Sequence, residues 1–264
     1  MPDPTFPPEI EYIIFTTALE LNNGGSSARN LILVAKRVHE WLIPKIMRTL
    51  AMQAVSPPQR YPFRWDINTL QQYGRHTRNL FIWTPIGHNE DAHQYLCLCS
   101  NVKNLLLWSQ DGLNHPQLEA LSRLSLTHLS TDLTHISEPS PDLVHLFSKI
   151  THLDSLSAIH LEPSIKVETF TSLTHLAIPY LDGNASTPLF EKVPTLQVLL
   201  LLEHGAVMGL IEGFDPKVDD PRIVRVTYRF NYEVGDWLLD VEEGRGMWGL
   251  ADQAVRERKK LKET

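Results

Sequence analysis

Apolar side chains return along this chain about every two dozen positions. The pattern is an apolar residue, two others, an apolar residue, one other and a third apolar residue, and it recurs as Val102, Leu105, Leu107, as Leu173, Leu176, Ile178, and as Leu196, Leu199, Leu201. Weaker copies occupy residues 126–131 and 150–155, and terminal variants occupy 77–82 and 221–226. Anchoring each copy on its second apolar position gives Leu80, Leu105, Leu129, Leu153, Leu176, Leu199 and Val224, separated by 25, 24, 24, 23, 23 and 25 residues. A period of about 20–29 residues around an LxxLxL core predicts one short parallel strand per repeat, returned by a loop or short helix. Each copy buries only about three leucine-like side chains, worth roughly 1.5–3 kcal/mol apiece in transfer free energy, against the ordering entropy of the whole repeat. A single copy cannot fold alone, so the predicted fold is an α/β leucine-rich-repeat-like solenoid whose units stack on one another.

Between the strands, Leu143, Leu146, Phe147 and Ile150 stand at helical spacing, and residues 188–194 read as a second short helix on the convex side. The Asn that follows the third leucine in regular repeats is missing: Trp108 follows Leu107, and Pro179 follows Ile178. The array is therefore expected to be irregular, weakly curved and served by loops of unequal length. Residues 1–55 predict helices. Pro7 and Pro8 open a helix carrying Ile10, Ile13, Ile14, Ala18 and Leu21, and a second run over 28–42 places Leu31, Val34, Ala35, Val38 and Trp41 on one face. Pro44 opens a further turn toward Leu50. Residues 56–66, rich in proline and aromatics, read as a packed connector. The repeats extend over 56–235, and 236–264 ends in a charged helix whose Trp248, Leu250, Ala251, Ala254 and Val255 are expected to cover the last strand.

Lys and Arg number 24 against 31 Asp and Glu, a net charge of -7 whose average field repels nucleic acid and anionic membrane surfaces. No apolar run of about 18 residues and no basic-then-apolar leader is seen, which predicts a cytoplasmic or nuclear protein without a membrane partner. Cys97 and Cys99 alternate with Leu96 and Leu98 and read as buried free thiols of a reducing compartment.

The run Phe6, Pro7, Pro8, Glu9, Ile10, the following Ile13, Ile14 and Phe15, and the stretch 31–42 with Lys36, Arg37, Val38 and Trp41 resemble an F-box. The pattern of that family is Leu-Pro-x-Glu-Ile, an apolar helix, then a leucine-rich helix ending in basic residues and Trp. With the repeats, the chain resembles the uncharacterised F-box-like, leucine-rich-repeat proteins of mushroom-forming (basidiomycete) fungi. In that group Trp41, Pro44, residues 48–50 and a closing helix like 247–260 have counterparts. The resemblance implies a Skp1-type adaptor docked on Pro7, Pro8, Ile10, Ile13 and Val34, and a protein partner held on the repeats for ubiquitin transfer. Phe6 in place of Leu and Ala35 in place of a small polar residue or Cys depart from the pattern. An apolar helical unit is also what caps the first repeat of any solenoid, and the same periodicity serves both purposes. Exposure of Pro8, Ile10 and Ile13 as a patch separates the two readings.

The tripeptide Thr-His-Leu recurs at 127–129, 151–153 and 174–176. The middle position of such a strand points away from the core, so His128, His152 and His175 are expected to form a ladder with steps of about 4.8 Å. Adjacent imidazoles can bind a metal, yet no carboxylate or Cys recurs in phase to complete a tetrahedral set, so the ladder reads as a surface row and no metal or cofactor is expected. A second group, Trp83, Trp108, Tyr180, Glu203, His204 and Asp215, is predicted near the C-terminal ends of the strands. It would serve as a small-molecule pocket with a His-carboxylate pair, or simply as rings and charges that anchor the loops. No phosphate loop, nucleophile elbow or HExxH pair occurs, so no catalytic set is assigned. The leading expectation is a protein-interaction module; the alternative is a small-molecule-binding protein or enzyme that uses the strand-end pocket.

Overall fold

The predicted anchors stack on one line. In the computed structural model, which describes residues 6–21, 26–53, 66–84, 89–109, 112–133, 136, 140–155, 167–179, 187–204, 209–210, 220–228, 237, 241, 244 and 246–263, Leu80, Leu105, Leu129, Leu153, Leu176 and Leu199 are register partners across one sheet. The strands are β1 (Thr49–Gln53), β2 (Asn79–Thr84), β3 (Asn104–Ser109), β4 (His128–Thr131), β5 (His152–Ser155), β6 (His175–Pro179), β7 (Val198–His204), β8 (Gly209–Leu210) and β9 (Ile223–Tyr228). They lie in the order β1-β2-β3-β4-β5-β6-β7-β9-β8. All neighbours are parallel except the short β8, which pairs antiparallel with β9. The fold is thus α/β, built on one open sheet with eight parallel strands.

Three predicted elements are corrected. Residues 49–53, expected to belong to the helical segment, form β1, and Leu50 extends the anchor line opposite Leu80. At the other end Ile223, not Val224, opposes Leu199. The helical run expected over 28–42 is broken at 33–35 into α2 (Ser26–Ile32) and α3 (Lys36–Ile46), which follow α1 (Pro8–Leu21). The expected connector at 56–66 lies outside the described residues except for Asp66.

Strand alternation sends the anchors and their i+2 neighbours to the face covered by α4 (Ile67–Tyr73), α5 (Asn89–Leu98), α6 (His115–Ser122), α7 (Pro141–Phe147) and α8 (Thr187–Lys192). Leu80, Ile82, Leu105, Leu107 and Leu129 share one core with Leu70, Leu96, Leu121, Leu146 and Phe147 of these helices. The helices start where side chains replace missing backbone partners: Asp66 accepts from the Thr69 amide, Asn114 forms a capping box with Gln117, and Ser140 accepts from the Leu143 amide. Ahead of the strands, the carbonyls of Arg48, Arg78, Lys103, Thr127, Thr151 and Thr174 each accept two amides from the next unit. That leaves each unit one way to seat on its neighbour.

The C-terminal helix, here α9 (Met247–Glu263), was expected to cover the last strand. It does so, packing Met247, Ala251, Ala254 and Val255 on Val224 and Val226 of β9, and it reaches across this second face of the sheet to Ala177, Val198, Leu200 and Leu202. This explains why β7 is apolar at five successive positions: both of its faces are buried, as in sheets covered on two sides. The outer edge of β9 is paired by β8. Both cysteines are free, but only Cys99 is buried; Cys97 is exposed, because residues 97 and 98 belong to a helix and not to an alternating strand. Among the described residues no helix is long and apolar enough to cross a membrane.

Candidate functional site

The N-terminal helices divide two tasks between them. On one side α3 contributes Ile43, and the following Met47, to the main core. On the other, Val38 and Leu42 form a small core with Leu19 of α1 and Ala28 of α2. Arg37 holds Glu11 through two hydrogen bonds of 2.7 and 2.9 Å, and Lys45 lies 3.5 Å from Glu20. These pairs set α1 and α3 side by side in the same direction. The hydrogen bonds from Arg37 also lower the pKa of Glu11.

With Phe15 and Leu19 packed in this small core and Tyr12 edge-on to Trp41, Ile10, Ile13 and Ile14 of α1 are left at the surface. Ile10, Ile13 and Ile14 are 43%, 56% and 47% exposed, and Leu33 and Val34, just ahead of α3, are 79% and 59% exposed. Pro7 and Pro8 are exposed as well. All five residues expected on an adaptor face therefore lie at the surface, at the end of the unit where α1 and α3 begin.

The second feature is the row of side chains one position ahead of the anchors, on the face without α4–α8. It runs Thr49, Asn79, Asn104, His128, His152, His175, Val198. Asn104 Nδ2 donates to Asn79 Oδ1 at 2.7 Å, and Asn79 Nδ2 donates to Thr49 Oγ1 at 2.9 Å. The three imidazoles then stack with centroids 4.0 and 4.1 Å apart and planes within 16°. Each preceding threonine hydroxyl donates its one proton to a carbonyl of the previous unit: Thr127 to Lys103 at 3.3 Å, Thr151 to Thr127 at 3.0 Å and Thr174 to Thr151 at 3.1 Å. The same oxygens lie 2.8–3.0 Å from the histidine Nδ1 atoms and accept there, so in His128 and His152 Nδ1 carries the proton.

His128 and His152 consequently expose Nε2 lone pairs that run side by side and do not converge on one point. Burial first, then the neighbouring imidazoles, push the pKa of His128 down to about 4 and that of His152 down to about 2. His175 Nε2 meets Asp252 of α9 at 3.0 Å, and Trp248 stands edge-on to His152 and His175 at 5.4 and 5.7 Å. Two positions further along the strands Ser130 donates to buried Asp154. A cavity of about 20 Å³ between this group and Trp237, Val241, Met247 and Trp248 has room for one water-sized guest. Among the described residues no group of three or more His, Cys, Asp or Glu is placed to hold a metal.

The expected strand-end pocket does not form as a unit. Trp83 and Trp108 do meet, stacked at 5.4 Å and 10°, beside Phe81, Leu106 and Trp237. Glu203 sits on the opposite face, because it follows Leu199 by four residues in β7, and it lies 3.9 Å from Arg225. Tyr180, Asp215 and the side chain of His204 fall outside the described residues. Sequence reasoning missed Asp252 as a partner of the ladder. The signal was the i, i+4 spacing of Trp248 and Asp252, which puts both on one side of α9.

No protein-family model matches the chain, and no curated protein matches it.

Proposed function

We propose that this chain is a protein-interaction module: a leucine-rich-repeat-type solenoid whose F-box-like helices dock a Skp1-type adaptor while the repeat surface holds a protein partner. The observation that carries this reading is the outward apolar surface of Ile10, Ile13, Ile14, Leu33 and Val34. The same helical unit already caps the sheet through Ile43 and Met47, so capping leaves those five residues unexplained. Covering them is worth on the order of 1 kcal/mol each, enough to drive association once hydrogen bonds and charge add to it. The repeat reading is supported by β1 to β7 following one another in chain order with anchors on one register line. Under this reading the protein works in the cytoplasm or nucleus, where such adaptors operate. The alternative, a small-molecule binder or enzyme, gains nothing from the cavity beside the histidines, which at about 20 Å³ is far below the roughly 300–1,000 Å³ of ligand pockets.

The test is co-purification of the full chain with a Skp1-type adaptor. Ile13→Glu combined with Val34→Glu should abolish the complex and leave the circular-dichroism melt unchanged, since both positions are exposed. Failure of the unaltered chain to form the complex removes the adaptor part of the proposal.

A further inference from the structure

One edge of the sheet, at the N-terminal ends of β1, β2 and β3, carries cations that no carboxylate among the described residues neutralises. Arg48, Arg78 and Lys103 immediately precede β1, β2 and β3 on one register line, since the Arg48 carbonyl accepts the Arg78 amide and the Arg78 carbonyl accepts the Lys103 amide, each at 2.8 Å. Neighbouring parallel strands are about 4.8 Å apart, so the three side chains spring from roughly 10 Å of edge. Arg75, in the 3₁₀ turn Gly74–His76, adds a fourth. Arg48, Arg75 and Arg78 are exposed and Lys103 is half-buried.

Among the described side chains of this half of the chain the other Lys and Arg are paired: Lys36 with Glu40, Arg37 with Glu11, Lys45 with Glu20 and Arg123 with Glu119. The four edge cations have no carboxylate partner among the described residues, and the connecting segments 47–48, 74–78 and 99–103 contain no Asp or Glu. Arg78 and Lys103 instead donate to the carbonyls of Asn101 (3.2 Å) and Ser125 (3.0 Å), which orients them along the edge. The local field is felt by His76, whose pKa is lowered by burial and then by Arg75 and Arg78.

We infer that this basic edge docks an acidic peptide segment of a protein partner. The backbone groups there are already used between units, so side chains and not added strand pairing make the contact. The net charge of -7 turns nucleic acid away at long range, whereas a short acidic segment needs to meet only the patch itself, within a Debye length of about 8–10 Å. The edge does not overlap the exposed aliphatics of α1, so its failure and that of the adaptor reading are separable.

Fluorescence anisotropy of the full chain with a labelled oligoglutamate of about 12 residues tests the inference, at ionic strengths of about 50 and about 300 mM. Binding is expected at the lower salt and should weaken about tenfold or more at the higher. Arg48→Glu with Arg75→Glu should weaken it about tenfold with an unchanged melt, whereas Lys259→Glu, a cation on α9, should leave it unchanged. No binding by the unaltered chain at low salt overturns the inference, as does equal binding by the double variant. Tighter binding of a single-stranded DNA of matched charge, lost in the same double variant, assigns the edge to nucleic acid and overturns it too.

Discussion

The stacked histidines make stability depend on pH in a window where few other groups act. Lowering the pH from 7 to 5 protonates His128 and His152 in the unfolded chain, where an ordinary histidine pKa of 6.5 applies. In the folded chain their values of about 4 and about 2 keep both rings neutral. Because the folded values are depressed, the stability is whole above the unfolded pKa and is lost as the pH falls below it, at up to about 1.4 kcal/mol per pH unit and ring. Between pH 7 and 5 the two rings together cost roughly 3–4 kcal/mol, a sizeable part of the 5–15 kcal/mol that holds a typical domain. His76, also lowered, acts in the same direction. Glu11 and Asp66 have lowered values too, but a carboxylate loses its contribution only at lower pH, so this window belongs to histidines.

Urea unfolding at the two pH values is the assay, and the midpoint should fall by on the order of 1 M. His128→Asn with His152→Asn extends the asparagine row already formed by Asn79 and Asn104, and should remove most of the fall. A midpoint that does not move with pH, or a double variant with the unaltered dependence, refutes the argument.

Two further predictions follow from packing and burial. Leu153→Ala, at an anchor only 4% exposed, should cost about 2–5 kcal/mol in urea unfolding, against less than about 0.5 kcal/mol for Ile13→Ala on the open face of α1. A thiol reagent at mildly alkaline pH should label exposed Cys97 quickly and reach Cys99 only on unfolding, since burial pushes the Cys99 thiol up to about 11; rapid labelling of both contradicts its placement.

The middle of the sheet was legible because each anchor from Leu80 to Leu199 combines burial with a spacing of 23–25 residues. Its ends were not. Leu50 stands 30 positions before Leu80, outside that period, so β1 looked like a continuation of the helices. In β9, Val224 and Val226 look like the core pair, but the face they occupy is covered by α9, a second apolar environment that one-sided alternation does not anticipate. The periodicity of α9 tells which of its sides is apolar without telling which surface receives it. The histidine ladder could be read from three identical tripeptides, whereas its partner Asp252 lies 77 residues beyond His175. Exposure of Ile10 and Ile13 was equally out of reach of periodicity, because a capping helix and a docking helix carry the same apolar pattern.

The proposal that the N-terminal helices dock an adaptor is tested most directly by hydrogen exchange on the full chain with and without a Skp1-type adaptor. The account predicts new protection confined to Pro8–Leu21 and to residues 33–38, with the sheet unchanged. Protection on the strands alone, or none at saturating adaptor, contradicts it.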